Sequence, residues 1–366
     1  MKVVVAGGGT AGHVFPAVAL AERLREDGHE VGFVGSPDGQ EARLVPAAGF
    51  PFHAVRAQKM VRTASIRTVG APVVALRSVR DARPFVRGAR VVVGVGGYVS
   101  APAVLAARRA GAKVVLHEQN AIPGLANRLL SRRAEVVALS FADAGSRFPR
   151  RTRSVVTGNP VRTAIAAVPE GRPALIAEAR ASLDLEPGRT TVCVFGGSQG
   201  AQALDRLVAG AADALAGRAD LQLLVLTGPA NLELLRPAVE RDGPLRVRAV
   251  GFLERIELAL AVADLAVSRG GSGHLAELTV CGVPAIVVPY PHATENHQEA
   301  NARELERAGA VEVAVEASLT PAGLARRIER LADDADRRAG MRRLAIAWAK
   351  PDADRRLADV VEEVGV

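Results

Sequence analysis

Short runs of apolar, β-branched residues alternate along the whole chain with longer stretches whose apolar positions recur every three or four residues. Continuous apolar runs predict strands covered on both faces, and the 3.6-residue periodicity between them predicts helices. In the first half the runs place strands at 2–6, 30–34, 91–95, 113–117, 136–139 and 154–157. In the second half they fall at 191–195, 221–227, 247–250, 265–268, 285–288 and 311–315. The first helix is expected from Phe15 to about Asp27, with Pro16 in its first turn. Strand, helix, strand order throughout implies an α/β protein with doubly wound parallel sheets.

The two halves echo each other. "VVVAGGGTAGHVF" and "VCVFGGSQGAQAL" are each a strand, a glycine-rich turn and a helix start, and each opens its half. Two Rossmann-like domains facing across a cleft follow, with ligands at the carboxyl ends of both sheets. A boundary is expected after "TGNPVRT", which gives domains at 1–163 and 164–344, and a closing segment at 345–366, broken at Pro351, that can pack back on the first domain. At 366 residues and 49% hydrophobic content, the chain can fill two cores. It has no long uncharged apolar run, and it enters a strand at once instead of opening on a basic and then apolar leader. A cytoplasmic protein without a membrane span is expected. Its two cysteines, Cys193 and Cys281, make no metal-spacing pattern and read as buried thiols.

Charge adds an asymmetry to this picture. Residues 1–160 hold 23 Lys and Arg against 10 Asp and Glu, and the remainder 24 against 29, within a net charge of +8. The stretch from Arg56 to Arg109 has eleven basic residues and one acid, Asp81. With 3% aromatics there are few platforms for stacking bases, so anionic lipid or phosphate is a better partner than nucleic acid. A merely solvated basic face accounts for the same composition.

The candidate chemistry lies at strand ends. Gly7-x-Gly9-x-x-Gly12 fits the dinucleotide fingerprint, but that cofactor needs an acid about twenty residues on, at the end of the second strand. Val34-Gly35-Ser36 stands there instead, and Asp38 comes late. His13 follows the turn as a candidate base, since an imidazole titrates near neutrality. "GVGGYVSAP" and "LHEQNAIPG" are further strand-end loops rich in polar groups, among them Tyr98, Ser100, His117, Glu118, Gln119 and Asn120. Gly196-Gly197-Ser198-Gln199-Gly200 can cradle a phosphate at a helix N-terminus. In "VSRGGSGHLAEL", Arg269 ends a strand and can neutralise phosphate or contact a nucleotide. By spacing alone Glu277 is a ribose ligand or a solvated glutamate, and Phe252 a base-stacking ring or a core residue. "PYPHATENHQEANA" carries polar groups suited to sugar hydroxyls, including Gln298, and His292-x4-His297 makes no convincing metal pair.

"GGGTAGHVFPAVALA", "GGYVSAP", "HEQNAIPGLAN", "GNPVR", "GGSQGA", "GFL", "SRGGSGHLAEL" and "ENHQEANA" together resemble the MurG family over essentially the whole chain. Those peptidoglycan glycosyltransferases move N-acetylglucosamine from UDP-N-acetylglucosamine onto lipid I, producing lipid II. The resemblance implies a GT-B fold, with the acceptor on the N-terminal domain and the nucleotide sugar on the C-terminal one. It implies that Ser198, Gln199 and Arg162 hold the donor diphosphate, that Phe252 and the Leu253 backbone meet the uracil, and that Arg269 lies beside the nucleotide. Glu277 would bind the ribose and Gln298 the sugar, while Thr10, Gly12, Tyr98 and Asn120 would line the acceptor side. His13 would remove the proton of the acceptor's 4-hydroxyl as the anomeric carbon inverts, with no metal and no cofactor. Membrane-bound lipid I gives the basic segment a partner: Val73, Val74, Leu76, Val79 and Phe85, interleaved with Arg77, Arg80, Arg83 and Arg87, suit an anionic membrane surface at the cytoplasmic face. Other cell-wall synthesis proteins are admitted as further partners.

The chain departs from the family at Ala11, where many members have glycine, and at His274, where members usually have threonine. The second departure bears on donor choice. Three other readings compete: a MurG-like paralogue for another polyprenyl or natural-product acceptor, a nicotinamide-dependent oxidoreductase, and a noncatalytic sugar-nucleotide binding protein.

Overall fold

The computed structural model describes residues 1–55, 71–97, 99–197 and 200–366, with the side chains of residues 11 and 71–76 outside that description. The chain divides into two compact units, Met1–Arg162 with Lys350–Val366, and Thr163–Ala349.

Among the described residues the first unit is built on seven strands, β1 (Lys2–Ala6), β2 (Glu30–Gly35), β3 (Phe52–Ala54), β4 (Val91–Gly94), β5 (Lys113–Glu118), β6 (Val136–Leu139) and β7 (Ser154–Val156). They lie in the order β3-β2-β1-β4-β5-β6-β7, all parallel. The second unit has six, β8 (Thr190–Phe195), β9 (Leu221–Leu226), β10 (Arg246–Val250), β11 (Leu265–Ser268), β12 (Ala285–Val287) and β13 (Val311–Val313). Their order is β10-β9-β8-β11-β12-β13, again all parallel. Strand order reverses between β1 and β4 and between β8 and β11, so the loops after these strands diverge and open a crevice at the carboxyl edge of each sheet.

Both faces of each sheet are covered, as the continuous apolar runs require. On one face of the first sheet Val3 and Val5 pack with Leu20 and Leu24 of the Ala11–Glu26 helix and with Leu357 and Val361 of the Ala353–Gly365 helix. On the other, Val4, Val92 and Val114 meet Val79 and Ala82 of the Ala71–Val86 helix and Val104 and Ala107 of the Ser100–Arg109 helix. In the second unit Val192, Val194 and Leu223 pack with Leu204, Val208, Leu324 and Ile328.

The segment expected at 345–366 is shared between the units. Its first residues finish the Ala335–Trp348 helix of the second unit, and after the turn at Pro351 the Ala353–Gly365 helix belongs to the first. Polar ties fix that helix: His29 Nε2 lies 2.8 Å from Glu362 Oε1, and Arg90 donates to the carbonyls of Gly365 and, at 2.7 Å, Val366.

Three expectations are corrected. β3 has no counterpart among the expected strands, because it is a three-residue edge strand whose apolar pattern is too short to register beside Pro51. The first helix starts at Ala11, so Pro16 lies inside it, where its ring nitrogen cannot donate to the Gly12 carbonyl. On the basic helix, Val79 is buried in the core, and the partly buried Phe85 packs on that core with its ring 4.1 Å from that of His53. Neither faces outward with Arg77, Arg80, Arg83 and Arg87, which are exposed. The side chains of Val73, Val74 and Leu76 lie outside the described residues.

Candidate active site

At the β1/β4 crevice the glycine-rich turn leads into the helix that carries His13. Gly9 adopts a φ of +96°, a left-handed conformation that favours glycine. Thr10 caps the helix without a side-chain bond to its backbone, because its hydroxyl is engaged elsewhere: Thr10 Oγ1 lies 2.9 Å from His13 Nδ1. A Cβ at Gly12 would meet only Thr10 Oγ1, at 3.8 Å, so the protein itself leaves room there. The ring of His13 approaches the loop after β4, where a Cβ at Gly96 would lie 3.5 Å from its Nε2. Tyr98, in the same loop, falls outside the described residues.

The loop after β5 is held by a buried carboxylate. Glu118 accepts the N–H groups of Asn120 at 2.9 Å and Gly124 at 3.1 Å and the Asn127 amide at 2.9 Å. Burial raises its pKa, against the opposing pull of these donors. Asn120 is thereby fixed at the strand end. His117 is buried behind it, with Nε2 3.2 Å from the Gly158 carbonyl. At the end of the unit, Arg162 places its guanidinium 4.5 Å from the centre of the Phe15 ring, beside the His13 helix.

In the second unit, the β8/β11 crevice holds the second and third glycine-rich turns. Ser198 and Gln199 lie outside the described residues, but Gly200 packs closely on Thr227 and Asn231. Asp205, buried on the Gln202–Ala214 helix, accepts from Asn231 Nδ2 at 2.8 Å, and the same amide donates to Thr227 O at 3.3 Å. Burial raises the Asp205 pKa to about 6, against the pull of Asn231 and the Ala201 backbone. The sequence reading missed Asp205, Asn127 and the part played by Glu118, because their marks are burial and pairing that no spacing records.

Arg269 is buried and committed to Glu316, 2.5 Å away, and to the Val288 carbonyl at 3.1 Å. Its cation is therefore already matched by a carboxylate within the protein. Gln298 Oε1 accepts from the backbone of both Gly270 (3.1 Å) and Tyr290 (3.0 Å), which fastens the loop after β11 to the loop after β12 and leaves the amide NH2 end of Gln298 as its donor. Glu277 Oε2 lies 2.9 Å from His274 Nδ1, and the His274 ring packs 4.6 Å from that of Phe195. Phe252 is 66% exposed in the loop after β10, which removes the alternative of a core phenylalanine, and Leu253 beside it is half-buried. Among the described residues no cluster of three metal-ligating side chains occurs.

The fold and these loops can be set beside known proteins. Residues 3–139 match the glycosyltransferase family 28 N-terminal domain, and residues 191–357 the family's C-terminal domain. A UDP-N-acetylglucosamine–N-acetylmuramyl-(pentapeptide) pyrophosphoryl-undecaprenol N-acetylglucosamine transferase of Halothermothrix orenii is 38% identical, covering 99% of each chain. The protein of the same name from Saccharopolyspora erythraea is 41% identical over 99% of this chain and 94% of its own length. The crystal structure of Acinetobacter baumannii MurG aligns over 99% of both chains with a TM-score of 0.80 and 30% identity. The spinosyn forosaminyltransferase SpnP, at 20% identity and a TM-score of 0.67, shares the fold. With two GT-B-type domains and full-length likeness at these identities, the chain belongs to the MurG family of glycosyltransferases.

Proposed function

We propose that the chain transfers N-acetylglucosamine from UDP-N-acetylglucosamine to the 4-hydroxyl of the N-acetylmuramyl unit of lipid I, giving lipid II. The observation that carries this reading is likeness to transferases of that name across nearly their whole length, both domains included.

The first unit supplies the base. With Nδ1–H donating to Thr10 Oγ1, the His13 Nε2 lone pair accepts the hydroxyl proton as the sugar carbon is attacked. Gly12 leaves space for the acceptor, and Tyr98 and Asn120 line it. The second unit binds the donor: Phe252 stacks on the uracil beside the Leu253 backbone, Glu277 accepts the ribose hydroxyls, Arg269 shapes the adjoining wall and the Gln298 amide donates to a sugar hydroxyl. The amides of the Gly196–Gly200 turn, with Ser198, Gln199 and Arg162, stabilise the charge that develops on the leaving UDP. Inversion at the anomeric carbon follows from direct in-line attack.

The protein works as a peripheral enzyme at the cytoplasmic face of the membrane. Among the described residues no helix is long and apolar enough to cross it. The exposed arginines of the Ala71–Val86 helix support attachment, as do Leu125 and Leu129, which are exposed beside Arg128, Arg132 and Arg133.

Transfer of radiolabelled N-acetylglucosamine to a lipid I analogue tests the reading. Wild type should turn over, and His13→Ala should lose roughly 100- to 10,000-fold in kcat, the usual worth of a general base. Tight donor binding without transfer to this acceptor would redirect the search to another polyprenyl acceptor.

A further inference from the structure

We infer that Glu41 is a positioning residue for His13, its buried carboxylate holding the glycine-rich turn in the shape from which the His13 helix starts. Glu41 opens the Glu41–Ala47 helix after β2 and is 1% exposed. Its Oε2 accepts the Gly9 N–H at 2.7 Å, and its Oε1 accepts the Ser36 N–H at 2.9 Å. One carboxylate thus ties the turn after β1 to the loop after β2. The space around it is kept by glycine on three sides, since a Cβ at Gly8, Gly35 or Gly39 would run into the Glu41 side chain.

Two consequences follow. A dinucleotide site of this type would turn its strand-end acid toward a ribose and its turn amides toward a diphosphate. Here an acid does arrive after β2, but it faces inward and takes the Gly9 amide for itself. The second consequence concerns the base. Gly9 directly precedes Thr10, whose carbonyl accepts from His13 N at 3.0 Å and Val14 N at 3.2 Å and whose hydroxyl pairs with the imidazole. Because the Thr10 side chain serves His13 instead of capping the helix, the turn must be anchored from outside, and Glu41 is the anchor.

The inference rests on His13 being the base of the proposed transfer, and the test separates the two. Glu41→Gln keeps the shape but sets an amide NH2 against a backbone N–H. Glu41→Ala leaves both N–H groups without their acceptor, and formate supplies a carboxylate of the kind removed. For either variant, measured well below its unfolding midpoint, kcat should fall about 10- to 100-fold, the scale of a misplaced catalytic group. The KM for UDP-N-acetylglucosamine should stay within about twofold, because the proposed donor residues, Arg162 apart, lie in the other unit. Formate should restore part of the lost kcat to Glu41→Ala and none to Glu41→Gln. The His13 imidazole resonances, assigned with His13→Gln, should move in both variants, and this readout needs no turnover. If Glu41→Ala does not fold, Glu41→Gln carries the kinetic and resonance readouts. Folded variants with kcat within twofold of wild type, or with His13 resonances in place, would overturn the inference. A wild type without transfer activity would instead sink the proposed reaction, while the resonances still report on the link from Glu41 to His13.

Discussion

His117 sits at the end of β5 with its ring wholly buried, and burial pushes its pKa down to about 4; the Gly158 carbonyl opposes this and nearby His13 adds to it. The native state therefore holds His117 neutral, while the unfolded chain binds a proton below about pH 6.5. Stability contributed by the neutral ring is full above that pH and is lost as pH falls toward 4, by up to about 3 kcal/mol. In urea unfolding, wild type minus His117→Gln should show this loss between pH 7.5 and 4.5, and a difference independent of pH would refute it. Phe252 presents the opposite case, an apolar ring left in water. Phe252→Ala should raise the KM for UDP-N-acetylglucosamine roughly 5- to 100-fold, the worth of one stacked base, with a change in stability below about 0.5 kcal/mol. Candidates marked by a strand-end position were legible in the sequence, as with His13 in the helix after the β1 turn and Arg269 directly after β11. Residues whose function depends on what they face were not: Glu41 lies only a few residues beyond the position where a dinucleotide acid was sought, yet its direction is set by three glycines and two backbone amides.

The longest elements were legible because their patterns repeat. Twelve of the strands announce themselves as apolar runs, and their parallel pairing follows from strand, helix, strand succession, whereas the order of strands within each sheet does not. β3 escaped because three residues at a sheet edge carry too little pattern. The start of the first helix escaped because its N-cap Thr10 bonds the His13 ring instead of the helix backbone, and the turn before it is tied to the distant Glu41. The Ala353–Gly365 helix shows periodicity plainly, but periodicity cannot say which sheet it covers. Its Leu357 is fully buried between β-strand valines and the Ala11–Glu26 helix, so Leu357→Ala should cost about 2–5 kcal/mol. Far-UV circular dichroism in urea measures it, and an unchanged midpoint would mean that this helix does little to hold the first unit together.

At the scale of the whole molecule, positive charge gathers in the half that carries His13. The structure changes which residues carry the proposed membrane attachment. Val79 and Phe85 turn into the core, so the Ala71–Val86 helix offers arginines, and exposed apolar contact comes instead from Leu125 and Leu129 of the Leu125–Leu130 helix. Both helices pack beside the Ser100–Arg109 helix on one face of the first sheet, so the two contributions share a surface. Each arginine near an anionic membrane is worth about 1 kcal/mol at low ionic strength, and that attraction fades beyond a Debye length of roughly 8 Å at physiological salt. Changing Arg77, Arg80 and Arg83 together to Gln should therefore weaken binding to phosphatidylglycerol vesicles about 100-fold at low salt. The deficit should shrink as salt rises. Changing Leu125 and Leu129 to Ser should weaken binding less and by an amount that salt leaves alone, because apolar burial is not screened. Neither set should alter UDP binding, whose proposed contacts are centred on the second unit. Sedimentation with vesicles across a salt series measures all of this, and equal binding to neutral and anionic vesicles would remove the arginine face from the account.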